Sequence, residues 1–224
     1  MDIKILSIET SGYTCSIALS HNNEIVSIYT INKPNVHDEL AAELIKRILD
    51  DNKMDISNLS AIAVSSGPGS FTGLRIGVSI AKGLCFRSNE SELNPKLIAV
   101  QTLKSLIDFA IMYKHLINKD KIISVIPAQK DYVYYQTYKS GNYSKIIMEN
   151  KLALEKNEYN SYFKIGPYYH KLNEYNIFNS LSAEKIAISA YKQFLKNEFT
   201  DPDKYSPDYI QDFVIKTHKK SLNI

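Results

Sequence analysis

Three consecutive strand-like segments open the chain, and they restrict its fold more than any other feature. The segments are 3–8, 14–19 and 24–31, and the residues between them, 9–12 and 21–23, have the composition of tight turns. Strands joined by tight turns form an antiparallel meander, whereas a dinucleotide-binding fold begins with a strand, a helix and a parallel strand. The sequence therefore argues against a Rossmann fold.

The rest of the chain alternates between helical and strand-like periodicity. Apolar residues at three- and four-residue spacing predict helices over 37–49, 74–86, 102–112 and 182–195, with Thr102 as the cap of the third. Further strands are predicted over 61–64, 97–100, 121–126, 132–138, 144–148 and 163–165. This is the element order of an α/β protein of the actin-like ATPase class, which has two ribonuclease-H-like lobes with mixed sheets flanked by helices. We predict an N-terminal lobe over 1–114 and a reduced C-terminal lobe with an irregular tail over 115–224.

Composition and charge indicate a soluble, cytoplasmic protein. No apolar run approaches the roughly 20 residues that span a bilayer, and the N-terminus lacks the pattern of a secretory signal. Cys15 and Cys85 lie in apolar segments without metal-ligand spacing, so we expect two buried free thiols. The net charge is only +3, and part of the excess lies in a short tail that contains Lys216, Lys219 and Lys220. Such a chain is not expected to bind nucleic acid strongly by itself.

Glycine is concentrated in one segment, since five of the eight glycines fall between positions 67 and 83. Gly67, Gly69 and Ser70 follow a predicted strand and precede a helix, an arrangement that can present backbone amides to a phosphate. The spacing fits neither the Walker loop nor the dinucleotide fingerprint, and no lysine follows the last glycine of the loop. A phosphate loop and a purely structural loop both remain open.

Small residues recur every four positions along the helix that follows this loop. Gly73, Gly77 and Ala81 form a stripe that lets another backbone approach closely. The stripe could pack on the sheet of its own chain or against another subunit, and the spacing alone does not decide between them.

The segment 66–77, Ser-Gly-Pro-Gly-Ser-Phe-Thr-Gly-Leu-Arg-Ile-Gly, resembles the signature segment of the TsaB family. Residues 5–11 resemble the phosphate-loop strand and turn of that family, and residues 15–19 resemble its second strand. The resemblance extends to His37 with the helix after it and to 207–210, and it is strongest through about residue 110. It implies that Glu9, Thr10 and Ser11 belong to the candidate nucleotide or phosphate loop, together with Gly67, Gly69 and Ser70.

The resemblance also implies a subunit of a heteromeric assembly. TsaB proteins bind TsaD, which transfers a threonylcarbamoyl group to adenosine 37 of certain transfer RNAs, and the ATPase TsaE joins during the cycle. ATP and a metal are therefore expected in partner subunits, and transfer RNA is contacted indirectly. Helices 37–49 and 74–86 are expected to form the TsaD contact and to support homodimers through the same surface. The interface residues assigned in this way are His37, Leu40, Ala41, Leu44, Gly73, Gly77, Ile80 and Ala81.

Catalysis by the chain itself is not expected. A TsaD-like metal site needs histidines four residues apart on a helix, but Ala41 stands four residues after His37. Glu9 occupies a position where the family more often has Asp, the segment 127–134 lacks the charged pattern of the family, and Gln211 replaces a usual arginine. Ser70 has no base partner that would support a peptidase, and we expect it to bond within its own loop. The alternatives are a small-molecule kinase or ATPase of the same superfamily and a homodimeric binding module.

Overall fold

The computed structural model describes residues 2–33, 36–86, 94–117, 119–156, 159–169 and 176–207. The strands are β1 (Lys4–Glu9), β2 (Cys15–His21), β3 (Glu24–Ile31), β4 (Ala61–Gly67), β5 (Lys96–Gln101), β6 (Lys121–Pro127), β7 (Tyr132–Lys139), β8 (Asn142–Tyr143), β9 (Ile147–Asn150) and β10 (Phe163–Ile165). The helices are α1 (His37–Asp51), α2 (Phe71–Cys85), α3 (Thr102–Met112), α4 (Lys151–Lys156) and α5 (Ala183–Leu195).

The first sheet contains the predicted meander. Its strand order is β3-β2-β1-β4-β5, with β1 antiparallel to β2 and parallel to β4. The helices α1 and α2 cover one face of this sheet, and α5 covers the other. The central strand β1 is buried on both sides because each face is covered by a helical layer.

The second sheet is smaller, as the reduced second set of elements predicts. Its order is β10-β6-β7-β8, and β9 also pairs with β7. The helix α3 packs on one face through Leu103 and Ile107, while Leu154 of α4 and Tyr169 lie on the other. The predicted α/β fold with two mixed sheets flanked by helices is thus confirmed.

Each half of the chain contributes one helix that packs on the sheet formed by the other half. The helix α3 precedes the predicted boundary at residue 114 yet packs on the second sheet, whereas α5 follows that boundary and packs on the first. The two helices also pack on each other, so α5 buries Ile186 against the first sheet and Ile188 in the core around α3. The division at 114/115 stays a prediction.

The local differences from the sequence predictions are small. Thr102 was predicted as the cap of α3, but Gln101 precedes the helix, and no side chain caps it there. The short helix α4 was not predicted because its 6 residues are too few for a helical periodicity to show. Cys15 and Cys85 are buried and free, which confirms the expectation for the thiols. In the part of the chain that the structure describes, no helix has the length and apolar character needed to cross a membrane.

Asp108 on α3 accepts hydrogen bonds from residues on α5 and on β8 of the second sheet. It is only 2% exposed, and both of its oxygens are occupied. Oδ1 accepts from Tyr143 Oη on β8 and Lys192 Nζ on α5, both at 2.8 Å, while Oδ2 accepts from Lys104 Nζ at 3.0 Å and Ser189 Oγ at 2.6 Å. Burial by itself raises the pKa of the Asp108 carboxyl, but the Lys192 and Ser189 hydrogen bonds and the two lysine charges outweigh it and lower that pKa.

The substitution Asp108→Asn should lower the free energy of unfolding by about 1–3 kcal/mol, because it leaves two partly buried ammoniums without their counter-charge. The estimate is below that for a fully buried pair because the Lys104 and Lys192 side chains are 27% and 42% exposed. Urea unfolding of both proteins at pH 7 measures the difference. Because the pKa of Asp108 is lowered in the folded state, the advantage of the wild type should shrink as the pH falls below 3.8, the ordinary value of that carboxyl. An advantage that grows in acid would contradict this assignment.

Candidate functional site

The candidate site lies where β1 ends, and Glu9 is its central acidic group. The side chain is 1% exposed, and its Oε1 accepts from the backbone N–H and the hydroxyl of Ser11, both at 2.6 Å. Oε2 has no hydrogen bond of ordinary geometry to a described residue. Burial raises the pKa of the Glu9 carboxyl to about 7, although the Ser11 hydrogen bonds and the nearby Ser65 side chain work in the opposite direction. The carboxyl is therefore a group that changes charge near neutral pH.

Other polar side chains share this buried face of the first sheet. Ser7 precedes Glu9 on β1, Ser65 lies on the adjacent strand β4, and both are fully buried. Lys185 on α5, the helix that covers this face, brings a positive charge close to Glu9. Its side chain is 2% exposed. Its ammonium donates to the carbonyl of Ser180, and burial lowers its pKa to about 8. Sequence analysis missed Lys185, because a lysine within an amphipathic helix is normally solvated and only the second packed face of α5 buries it.

The predicted loop residues do come together, but they contact one another. The N–H of Ser70 donates to the carbonyl of Ser11 at 2.6 Å, and a Cβ added at Gly69 would lie 2.5 Å from that same carbonyl oxygen. Ser70 Oγ in turn accepts from the N–H of Gly73 at 3.3 Å and caps α2. Gly67 has a φ of 106°, which explains the glycine there. The Ser70 amide, which could otherwise donate to a phosphate, is therefore already bonded to the backbone carbonyl of Ser11.

The small-residue stripe of α2 faces the end of β1. A Cβ added at Gly73 would lie 1.9 Å from the carbonyl oxygen of Thr10, and one added at Gly77 would lie 2.4 Å from Thr10 Oγ1. The Thr10 hydroxyl also donates to the carbonyl of Gly73 at 2.8 Å. Ala81 is fully buried in the core beneath α1 and α2. The stripe thus packs within its own chain, and the assignment of these residues to a subunit contact stays a prediction.

The other predicted interface residues divide into buried and partly exposed positions. Ala41 and Leu44 belong to the core between the first sheet and the helices α1 and α2, and His37 lies at the start of α1 with Nε2 3.0 Å from the carbonyl oxygen of Gly12. Leu40 and Ile80 are partly exposed at the edge of that core. A contact through α1 and α2 therefore has to use their outer faces, and that contact stays a prediction.

Metal-ligating side chains are not brought together in the described ranges: no three His, Cys, Asp or Glu side chains there lie close enough to hold an ion. His21 bonds to Asp2 at the start of the chain, and His115 packs on Tyr113. His170 and His218, the basic tail, the resemblance at 208–210 and the departure at Gln211 fall outside the described residues.

The strand order and the helical layers define a protein of the actin-like ATPase fold. A solved structure described as YeaZ from Pseudomonas aeruginosa superposes with a TM-score of 0.74 over 93% of this chain and 100% of that one, at 22% identity. This similarity establishes the fold.

Sequence comparison then identifies the family. Residues 33–193 match the family model TsaD, described as tRNA N6-adenosine threonylcarbamoyltransferase. The tRNA threonylcarbamoyladenosine biosynthesis protein TsaB of Bacillus subtilis is 34% identical over 67% of this chain and 62% of that protein, so the match covers a little under two thirds of the relative. The protein of the same description from Buchnera aphidicola subsp. Acyrthosiphon pisum is 34% identical over 69% of each chain. The chain belongs to the TsaB family.

Proposed function

We propose that the chain is a non-catalytic subunit that binds and activates a TsaD-type threonylcarbamoyltransferase in the formation of N6-threonylcarbamoyladenosine at position 37 of transfer RNA. Membership of the TsaB family carries this proposal, because the relatives are described as biosynthesis proteins for this modification. The match of residues 33–193 to the TsaD model supports a partner of the same fold.

The glycine loop between β4 and α2 is closed by its hydrogen bond to Ser11, and this closed loop supports a non-catalytic role. Phosphate-binding loops need unpaired backbone amides at a helix N-terminus. Here the Ser70 amide is bonded to Ser11, and the Ser70 hydroxyl caps the Gly73 amide. Glu9, which bonds to Ser11, is nearly inaccessible to solvent. ATP and the metal are then bound by the partner subunits, where a TsaE-type ATPase joins the assembly in the cytoplasm.

The partner surface in this proposal is the outer face of α1 and α2, next to the partly exposed Leu40 and Ile80. Burial of apolar side chains at the centre of a contact supplies most of its affinity. The same surface would support a homodimer when the partner is absent. Transfer RNA is held mainly by the other subunits.

We expect Ser79→Arg to weaken the complex with the TsaD-type paralogue of the same organism at least tenfold. Ser79 is exposed on α2, so the arginine should leave the fold intact while placing a bulky charge in the contact. The matched control is Leu152→Arg on α4, where the side chain is 67% exposed in the second lobe. Co-expression followed by size-exclusion chromatography and calorimetry measures both.

Two outcomes distinguish an error in the proposed function from an error in the position of the contact surface. If the wild-type chain does not co-elute with the paralogue, and its depletion leaves threonylcarbamoyladenosine unchanged, the proposed function is wrong. If the wild type and both variants co-elute equally, only the assignment of the surface is wrong.

The alternative of a free-standing kinase or ATPase is tested by calorimetry of the isolated chain with ATP and magnesium. Tight binding with turnover would favour that enzyme over the subunit, because a non-catalytic chain with a closed loop should show neither.

A further inference from the structure

A pocket of about 260 Å³ lies between α3, α5, β7 and β8, away from the end of β1. The side chains that line it include Lys104, Asp108, Tyr138, Tyr143, Lys192 and Lys196. At roughly 30 Å³ per water molecule, the pocket has room for about eight waters. It is therefore too large for a single ion and suits a small organic ligand.

Two of the lysines in this pocket are held in place by a buried carboxylate. Lys192 Nζ lies 2.8 Å from Asp108 Oδ1, and Lys104 Nζ lies 3.0 Å from Asp108 Oδ2. Ser189 and Tyr143 donate to the same two oxygens, so the carboxylate has no acceptor capacity left for more donors. Asp108 therefore fixes the two ammoniums but neutralises only one of their two charges.

The lysines have more donors than the described part of the protein accepts. Each ammonium carries three N–H donors, and Asp108 takes one from Lys104 and one from Lys192. Neither lysine has a second acceptor among the described residues, and Lys196, one turn further along, has none. The three ammoniums thus present several unmatched donors to one pocket.

An aromatic wall limits the shape of the ligand. Tyr138 and Tyr143 pack edge to face with their ring centroids 5.1 Å apart, and the Lys104 ammonium lies 5.3 Å from the centroid of the Tyr143 ring. The Glu198 carboxylate, which also lines the pocket, and the carbonyl end of α5 oppose an anion, so binding depends on the three ammoniums. A compact ligand with two negative charges and an attached apolar or aromatic group satisfies these features best.

We propose that this pocket binds a small phosphate monoester, whose oxygens accept from Lys104, Lys192 and Lys196 while its organic group packs on Tyr138 and Tyr143. A phosphate monoester carries close to two negative charges at neutral pH and offers three strong acceptor oxygens. A phosphodiester within a nucleic acid offers only one charge per phosphate and has no terminal phosphate group to place among the three ammoniums.

Titration calorimetry at constant ionic strength tests the proposal with inorganic phosphate, adenosine 5′-monophosphate and the dinucleotide ApA, using chloride as the background anion. Saturable one-site binding is expected for the monophosphate, weaker binding for inorganic phosphate, and at least tenfold weaker binding for ApA. Absence of saturable binding by the monophosphate would overturn the site. Equal binding of the monophosphate and ApA would overturn its assignment to monoesters.

Substitutions locate the binding within the molecule. Lys196→Gln should lower the affinity for the monophosphate at least fivefold without affecting folding, since the side chain is exposed and has no partner in the described structure. Lys192→Gln should lower it further, with circular dichroism confirming that the variant is folded. Lys46→Gln on α1, where the side chain is 80% exposed and pairs with Asp50, is the control and should bind as the wild type does. Equal losses in Lys46→Gln and Lys196→Gln would reduce the effect to general charge and contradict the site.

Discussion

Gly73→Ala is expected to destabilise the protein by at least about 4 kcal/mol or to prevent folding, because the added methyl would enter the backbone of the β1–β2 loop. The new Cβ would lie 1.9 Å from the carbonyl oxygen of Thr10, which cannot move without breaking the end of β1. The control is Gly83→Ala on the same helix, where a Cβ meets nothing within 4 Å. That variant should gain about 0.5–1 kcal/mol from the higher helix propensity of alanine. Thermal and urea unfolding measure both.

A double substitution separates close packing from a general intolerance of α2 to change. Gly77→Ala should also destabilise the protein, but the nearest atom to its new Cβ is the Thr10 hydroxyl, at 2.4 Å. Thr10→Ala removes that hydroxyl, so it should recover part of the stability lost in Gly77→Ala. It should recover none in Gly73→Ala, where the nearest atom belongs to the backbone. Equal rescue of the two variants would refute this packing.

Glu9→Gln is expected to flatten the dependence of stability on pH. The pKa of Glu9 is raised from 4.5 to about 7 in the folded state, so the unfolded chain loses this proton at lower pH than the folded one. The wild type should therefore lose stability as the pH rises through this window, by roughly 3 kcal/mol in full and about 2–3 kcal/mol between about pH 5 and pH 8. Glutamine cannot ionise, and the variant should keep its stability across that range.

Urea unfolding at a series of pH values measures the effect, with Glu43→Gln on the exposed face of α1 as the control. Lys185 contributes little in this window and only near its upper end. Its lowered pKa of about 8 links stability to pH mainly between that value and the ordinary 10.5, in the opposite direction. A wild type whose stability is constant or rises between pH 5 and pH 8 would show that Glu9 is not buried as described.

The burial of Glu9 depends on long-range contacts that local sequence patterns do not predict. The sequence predicts the strand that ends near Glu9, the glycine loop and the helix after it. It does not predict that α5 from the other end of the chain covers Glu9, because that contact joins residues separated by most of the sequence. The raised pKa of Glu9 and the lowered pKa of Lys185 both result from this burial. A titrating carboxyl at this position is therefore a property of the tertiary structure.

The same limit applies to the pocket around Asp108. Lys104 is one helical turn from Asp108, and their pairing follows from helical spacing. Tyr143, Ser189 and Lys192 are 35, 81 and 84 residues away from Asp108. They reach it only because α3, α5 and β8 meet between the two sheets. Helical spacing therefore relates Lys104 to Asp108 and Lys192 to Lys196, but it does not predict that these two pairs meet.

The sequence by itself determined the antiparallel meander, the order of the longer strands and helices, the buried thiols and membership of the TsaB family, because these depend on local periodicity, turn residues and a contiguous signature. It also showed that α2 carries a stripe of small side chains, but such a stripe permits close approach to any backbone. Only the tertiary structure decided which backbone it meets. The carbonyl and hydroxyl of Thr10 fill the space beside Gly73 and Gly77, so the stripe holds α2 against the end of β1.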